Sequence, residues 1–218
     1  MRYFIILLLL FNFSFAKDLT PHLSKGEKRF KKDLSYNIKD FNLNWDITFL
    51  SVVSFMKVYN NNKNITYKDL YTIFKTDNRV YSQKDKKDIV YLANLLKNRK
   101  DYKLQRDEPL AVTNYYMVFF IDKNGKMYAL ENYKELKDMI GSINNPAKLL
   151  LWLKVKYRES PYSYFYNKNG LWRVRYSNWS LGNCTYYEYF KYYNKNGIYI
   201  IQEDIRDYHK KGCVDPVI

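Results

Sequence analysis

The stretch KYYNKNGIYII, residues 191–201, shows the pattern that decides the fold of the second half of the chain. Aromatic and β-branched residues flank Lys-Asn-Gly, and the same arrangement occurs in FFIDKNGKMYAL at 119–130 and YFYNKNGLWRV at 164–174. Asn-Gly supplies the two positive φ angles that a tight type I′ turn requires. The three stretches therefore predict β-hairpins. Their tips are expected at Gly125, Gly170 and Gly197.

Two helices are predicted between the first and second hairpins. Asn132 can cap a helix over YKELKDMI that ends at Gly141. Asn145 can cap a second helix, with Pro146 at its first position. Apolar side chains cover much of the circumference of this second helix, so we expect it to be buried across the sheet that the hairpins build. These side chains are Leu149, Leu150, Trp152, Leu153 and Val155.

Antiparallel hairpins with helices segregated between them predict an α+β fold for residues 109–218. Residues 17–108 are expected to form a mainly helical region, and the sequence Arg-Asp-Glu-Pro at 106–109 suggests the boundary between the two. The overall expectation is a mostly helical N-terminal half followed by an antiparallel sheet packed on a helix.

Four helices are predicted in this N-terminal half. Phe30 and Leu34 have the spacing of a short helix, and Asn44 can cap another from Trp45 to about Tyr59. The β-branched content of the latter segment leaves a strand open as the alternative. Capping-box-like sequences predict two more helices, which start near Thr66 with Asp69 and near Ser82 with Asp85. The last of them presents Ile89, Leu92, Ala93, Leu95 and Leu96 on one face and runs to about Lys100.

The first sixteen residues, MRYFIILLLLFNFSFA, have the layout of a secretory signal peptide. Arg2 precedes an apolar run, and Ser14 and Ala16 are small residues before a cut at Lys17. An uncut signal anchor is the alternative. We therefore expect a periplasmic or secreted protein with no transmembrane segment after cleavage. The formal net charge of +15 favours anionic partners, although AT-rich codon usage also enriches lysine and tyrosine.

Two cysteines, Cys184 and Cys213, are expected to form a disulfide in an oxidising compartment. A nucleophilic thiol, which would need a nearby histidine, is the alternative. The sequence offers no catalytic residue, metal site or cofactor motif. Only His22 and His209 are available as imidazole ligands, and no carboxylates have the spacing of a metal or acid–base site.

Two surfaces are candidate binding sites. Strand alternation separates Arg173 and Arg175 from Trp172, Val174 and Tyr176. If the outer faces of neighbouring strands coincide, these arginines join other polar and aromatic side chains on one sheet face, where they can bind anionic groups or stack on sugars and bases. A solvated sheet face is the alternative. The side chains that would join them are Tyr187, Tyr189 and Lys191. The second surface is the basic side of the first predicted helix. It carries Lys28, Arg29, Lys31 and Lys32, which could dock on anionic lipid or nucleic acid. A solvated helix face is the alternative.

The last third of the chain resembles small exported bacterial modules in which a helix precedes an antiparallel meander, as in PepSY-like or cystatin-like domains. The resemblance lies in IGSINNPAKLLLWLKV at 140–155, LWRVRYS at 171–177 and YFKYYNKNGIYII at 189–201. It implies an inhibitory, regulatory or binding module and carries no catalytic residues.

The sequence thus favours an exported, non-enzymatic binding protein whose partner is a protein or an anionic envelope polymer. Nucleic acid is a further candidate ligand without a supporting motif. The alternatives are an exported hydrolase acting on glycan or nucleic acid, and an envelope inhibitor or immunity-like protein. An enzyme should show a concave pocket with converging titratable groups, whereas a binding module should show a broad exposed patch.

Overall fold

A computed structural model describes residues 23–31, 36–57, 64–77, 79–97, 99, 113–166, 170–180 and 185–209. For residues 56–57, 113–115, 178–180, 185–187 and 204–209 it describes the backbone alone. The predicted signal peptide, Lys32, the boundary at 106–109, and both Cys184 and Cys213 lie outside these residues.

The described residues form nine strands and three α-helices. The strands are β1 (Lys28–Arg29), β2 (Ile47–Lys57), β3 (Tyr71–Lys75), β4 (Thr113–Asp122), β5 (Met127–Ala129), β6 (Ser163–Tyr166), β7 (Trp172–Ser180), β8 (Thr185–Tyr193) and β9 (Tyr199–His209). The helices are α1 (Gln83–Lys97), α2 (Tyr133–Ile140) and α3 (Pro146–Trp152), and α3 continues into a π-helical turn, Leu153–Tyr157. Short 3-10 turns occur at Ile38–Phe41 and Tyr67–Asp69.

Two antiparallel sheets share these strands, which confirms the α+β fold. One sheet has four strands in the order β3-β2-β4-β5, and the other has five in the order β1-β6-β7-β8-β9. α3 precedes the strands β6 to β9 in the chain, and these four strands are neighbours in chain order within the second sheet. The four-stranded sheet takes strands from both sides of the expected boundary after residue 108, so the two halves of the chain do not form separate sheets.

All three predicted hairpins are present, but they do not build one sheet. The hairpin at Gly125 joins β4 to β5 in the four-stranded sheet, whereas those at Gly170 and Gly197 belong to the five-stranded sheet. The expected type I′ turn is wrong for the first and third tips. Gly125 and Gly197 have positive φ, whereas Asn124 and Asn196 do not. In both tips the glycine alone takes the left-handed conformation, as in a type I turn followed by a bulge.

The two helices predicted from asparagine caps are confirmed. The side chain of Asn132 accepts a hydrogen bond from the backbone N–H of Glu135, and α2 ends at Gly141. Asn145 caps α3 in the same way, and Pro146 occupies the first turn. Six of the seven residues of α3 are buried, as its apolar circumference predicted. The apolar residues among them pack in one core with Trp172, Val174 and Tyr176 of the five-stranded sheet.

The predicted helix from Trp45 to Tyr59 is wrong, because this segment is the strand β2. β2 lies between β3 and β4, and five consecutive residues, 49–53, are buried. A strand buried on both faces shows no polar alternation, and its apolar residues can have a helix-like spacing by coincidence. The alternative left open by the β-branched residues is the one that the structure shows.

The expectation of a mainly helical N-terminal half is also wrong. Lys28–Arg29 is a strand at the edge of the five-stranded sheet. The capping box between Thr66 and Asp69 is formed, but it starts a single 3-10 turn that leads into β3. Of the four predicted helices, only α1 forms within the described residues.

The start of α1 was predicted correctly. The backbone N–H of Ser82 donates to Asp85, and the backbone N–H of Asp85 donates to the Ser82 hydroxyl. Ile89, Ala93 and Leu96 enter the core, whereas Leu95, expected on the same face, is half exposed. None of the described helices is both long enough and apolar enough to cross a bilayer.

Candidate functional site

The strand register places the predicted binding residues of the sheet on opposite faces. Arg173 pairs with Tyr192, and Arg175 pairs with Phe190. Directly opposed residues of an antiparallel pair share a face, and neighbours along a strand alternate. The other predicted residues pair with positions of β7 that alternate with Arg173 and Arg175, so they belong to the opposite face and the expected shared surface is wrong. These pairs are Tyr187 with Asn178, Tyr189 with Tyr176, and Lys191 with Val174.

Arg175 is buried in an ion-pair cluster and is not a surface group. Its guanidinium donates to Glu188 at 2.8 Å and to Glu27 at 3.1 Å, and its side chain is 8 % exposed. Burial lowers the pKa of Arg175, but the two carboxylates outweigh it and raise the pKa overall. Ser163 also donates to Glu27, which fixes the segment before β1 against the sheet. This arginine therefore links β7 to β8 and to the segment before β1.

Arg173 is partly exposed, but its charge is also committed within the protein. Its guanidinium lies 3.3 Å from a carboxylate oxygen of Glu203 and 3.6 Å from the ring centroid of Phe190. Tyr192 donates a hydrogen bond to the same carboxylate. An anionic ligand at this face would have to displace Glu203.

Lys191 belongs to a second internal cluster, centred on Glu159. One carboxylate oxygen accepts a hydrogen bond from Lys191, and the other accepts from the hydroxyls of Tyr176 and Tyr193 at 2.5 and 2.6 Å. Burial, together with the neighbouring Glu159 charge, holds the pKa of both tyrosines far above its usual value. Both oxygens of Glu159 thus have donors from the protein. The cluster ties the segment after α3 to the five-stranded sheet.

A basic groove of about 390 Å³ lies between the segment after β1 and the chain around α3. Pairing of β1 with β6 places Arg29, Phe30 and Lys31 on one wall, because Arg29 is opposite Ser163. The floor comes from α3 and its π turn, and the other wall from the chain that enters β6. Leu150 and Lys154 form the floor, and Ser160, Pro161 and Tyr162 form the second wall.

The lining of this groove contains three cationic side chains and no carboxylate. The guanidinium of Arg29 lies 5.1 Å from the ring centroid of Tyr162, a cation–π contact that leaves its charge available. Lys154 is 5 % exposed, and its ammonium group reaches Ser160 Oγ at 3.5 Å. Lys31 bridges to Asp40, which lies outside the groove, at 2.9 Å. A concave surface with one sign of charge concentrates ligands of the opposite sign.

The second predicted surface therefore contributes in part to the site. Arg29 lines the groove, whereas Lys28 is exposed on the same strand and is absent from the lining. Sequence reasoning found the charge run but assigned it to a helix. It missed Lys154, because the apolar run of α3 indicated only a buried helix.

A metal-ion site was also sought among the described residues. They contain no cluster of three histidine, cysteine or acidic residues that could hold a metal ion. No family model, curated protein or solved structure matches this chain.

Proposed function

We propose that this protein is exported and binds a flexible anionic polymer of the cell envelope through the basic groove, without chemical turnover. The observation that carries the proposal is the lining of the groove, in which Arg29, Lys31 and Lys154 face a concavity without an opposing carboxylate. The net charge of +15 supports it, because a cationic protein attracts polyanions over distances of about one Debye length.

The groove is a better candidate than the sheet because of where the counter-charges lie. Arg173, Arg175 and Lys191 each contact a carboxylate of the protein within the sheet or its border. A ligand there must replace an existing ion pair, which costs the desolvation of that pair. In the groove the lining itself contains no carboxylate, and Asp40, the ion-pair partner of Lys31, lies outside the lining.

Substitution of exposed groove cations tests the proposal. Arg29→Gln with Lys31→Gln removes two charges, and we expect at least a roughly tenfold loss of affinity for fluorescent dextran sulfate at low salt. The slope of log affinity against log salt should fall by about 1 for each lost contact. The matched control is Lys84→Gln with Lys87→Gln, which removes the same charge from the exposed side of α1. Fluorescence anisotropy measures both.

Four outcomes would contradict the proposal. An equal loss in both double variants would mean that net charge alone attracts the polymer. Unchanged affinity in the groove variant would place the binding site elsewhere. Cleavage of dextran sulfate, single-stranded DNA or an envelope glycan by the purified protein would favour the hydrolase alternative. A preference for single-stranded DNA over dextran sulfate at equal charge would identify nucleic acid as the ligand.

The export part of the proposal has its own measurement. Cleavage after Ala16 would leave Lys17 as the first residue. Mass spectrometry of the protein recovered from the periplasm or medium should give that N-terminus, and recovery of the full-length chain from the cytosol alone would contradict export.

A further inference from the structure

Two of the Asn-Gly pairs lie wholly within the described residues, and they differ in their surroundings. In both tips the glycine N–H donates to the carbonyl three residues earlier, at 3.1 Å for Gly125 and at 2.8 Å for Gly197. Asn124 and Asn196 are both exposed. Gly125 is exposed as well, whereas Gly197 is buried. The two pairs therefore share a turn and a solvent-accessible side-chain amide, but only the first glycine is open to water.

Donors from outside the turn hold three consecutive carbonyl groups of the third tip, those of residues 195–197. The donors are the backbone N–H of Ile143 at 2.9 Å to residue 195, the ammonium group of Lys137 at 2.9 Å to residue 196, and the Trp152 indole at 2.9 Å and the Tyr157 hydroxyl at 3.1 Å to residue 197. The corresponding carbonyls of the first tip, at 123–125, accept no hydrogen bond from any described residue. The first tip can therefore open by breaking bonds within the turn alone.

An Asn-Gly pair can lose its side-chain amide without an enzyme. Once hydroxide has removed the proton of the glycine nitrogen, this nitrogen can attack the asparagine Cγ, and a succinimide ring forms as the side-chain nitrogen leaves as ammonia. Water then opens the ring at Cγ to give aspartate, or at the main-chain carbonyl to give isoaspartate. Glycine favours the attack because it has no Cβ in the way. The peptide between the two residues must first rotate out of the turn, so the rate follows local opening.

We propose that Asn124 is a site of spontaneous deamidation to aspartate and isoaspartate, and that docking of the third tip protects Asn196 from the same reaction. Nδ2 of Asn124 lies 3.4 Å from a carboxylate oxygen of Asp122, so the product places a second carboxylate beside the first. Isoaspartate also lengthens the main chain between the two N–H groups that Asp122 accepts. Each event removes one unit of positive net charge and weakens the first turn. The site is independent of the basic groove.

Peptide mapping by mass spectrometry measures both conversions in one sample of the full chain. The protein is incubated at mildly alkaline pH in ¹⁸O-labelled water and digested with chymotrypsin. We expect Asn124 to convert at least about tenfold faster than Asn196, because fewer contacts oppose the opening of its tip. The product should carry one labelled oxygen, since water opens the ring. Equal rates, faster conversion of Asn196, or a product without the label would overturn the proposal.

Release of the third tip tests the cause of the protection. Trp152→Phe removes the indole donor, so Asn196 should convert roughly threefold faster or more, while Asn124 keeps its wild-type rate. Lys137→Met removes the ammonium donor and keeps the aliphatic stem, and it makes the same test if Trp152→Phe does not fold by circular dichroism. The matched control Lys134→Gln removes an exposed charge from α2 and should change neither rate. An unchanged rate at Asn196 in the folded variants would show that docking does not protect it.

Discussion

The hairpin tips at Gly125 and Gly197 have the same local structure, but the first glycine has open space around it and the second is packed against other side chains. In the first tip the Asp122 side chain accepts from the backbone N–H groups of Asn124 and Lys126, and in the third Asn194 accepts from Asn196 and Ile198 in the same way. A Cβ atom added to Gly125 would meet nothing within 4 Å, whereas one added to Gly197 would lie 2.3 Å from Trp152 Nε1.

This difference shows that the four residues of each tip determine the turn but not its packing. The sequence Asp/Asn-Lys-Asn-Gly specifies the turn, because its first side chain and its glycine satisfy the local backbone. Its surroundings depend on remote residues. The third tip is docked because the backbone oxygen of Gly197 accepts hydrogen bonds from Trp152 at 2.9 Å and Tyr157 at 3.1 Å. Substitutions that act equally on the two turns should therefore have unequal effects on the whole protein.

Gly197→Ala should give the largest loss of stability. The alanine must adopt a φ near +72° and also displace Trp152, so strain and overpacking add. We expect the free energy of unfolding in urea to fall by roughly 2–5 kcal/mol. A loss no greater than that of Gly125→Ala would show that the tip is not held against the helix.

Trp152→Phe removes the contact from the other side. The variant loses the indole N–H that donates to Gly197 and part of the buried ring, so we expect a loss of about 1–3 kcal/mol. Amide hydrogen exchange should become faster at residues 194–198 and stay unchanged at 122–126. Equal acceleration at both tips would mean that the substitution acts on global stability alone.

Gly125→Ala isolates the turn conformation itself. The site has open space and a φ of +78°, so the cost is that of placing a side chain in the left-handed region, about 1–2 kcal/mol. Gly125→Asn should recover part of the loss, since asparagine tolerates this conformation better. Urea denaturation of the two variants measures the difference between their free energies of unfolding. Packing should not contribute to this difference, because Gly125 has open space around it.

Lowering the pH should destabilise the first tip and not the third, and this loss of stability should be the smallest of the effects predicted for the two tips. Hydrogen bonds from the backbone N–H groups of Lys126 and Asn124 outweigh desolvation and lower the pKa of Asp122 from its usual 3.8. The contribution of Asp122 to stability is therefore complete above about pH 3.8 and is lost as the pH falls through the folded-state value. Asp122→Asn copies the third tip, whose Asn194 does not titrate.

The wild-type protein should thus lose stability relative to Asp122→Asn when the pH is lowered from 6 to 2. The difference in urea midpoint between the two proteins removes the contribution of all other carboxylates. A constant difference over this range would show that the carboxylate does not stabilise the turn.

Local signals predicted the parts of this fold that depend on local chemistry. The caps of α1, α2 and α3 and the three hairpins each follow from a few adjacent residues. β2 could not be predicted in this way, because its identity depends on β3 and β4 lying on either side. Asn-Gly alone did not predict the turn type, because that type also depends on the residue before Lys-Asn-Gly, whose side chain accepts from the backbone N–H groups two and four residues further on.

The candidate site was less accessible to sequence reasoning for a related reason. Charge and strand alternation predicted that Arg175 is a surface group, but its two carboxylate partners come from the neighbouring strand β8 and from the segment before β1. Arg29 was identified correctly as a basic residue near the start of the chain. Only the pairing of β1 with β6 shows that it lines a groove together with Lys154.

The ion pair between Glu27 and Arg175 has a consequence for the timing of folding. The two residues are 148 positions apart, and among the described strands β1 pairs with β6 alone. During synthesis the earliest described strand emerges long before its neighbour, so the five-stranded sheet cannot close until nearly the whole chain has been made. Contacts between residues so far apart in sequence form slowly, so we expect this sheet to reach its native pairing only after synthesis of the chain. The ion pair between Glu27 and Arg175 cannot form before Arg175 has been synthesised.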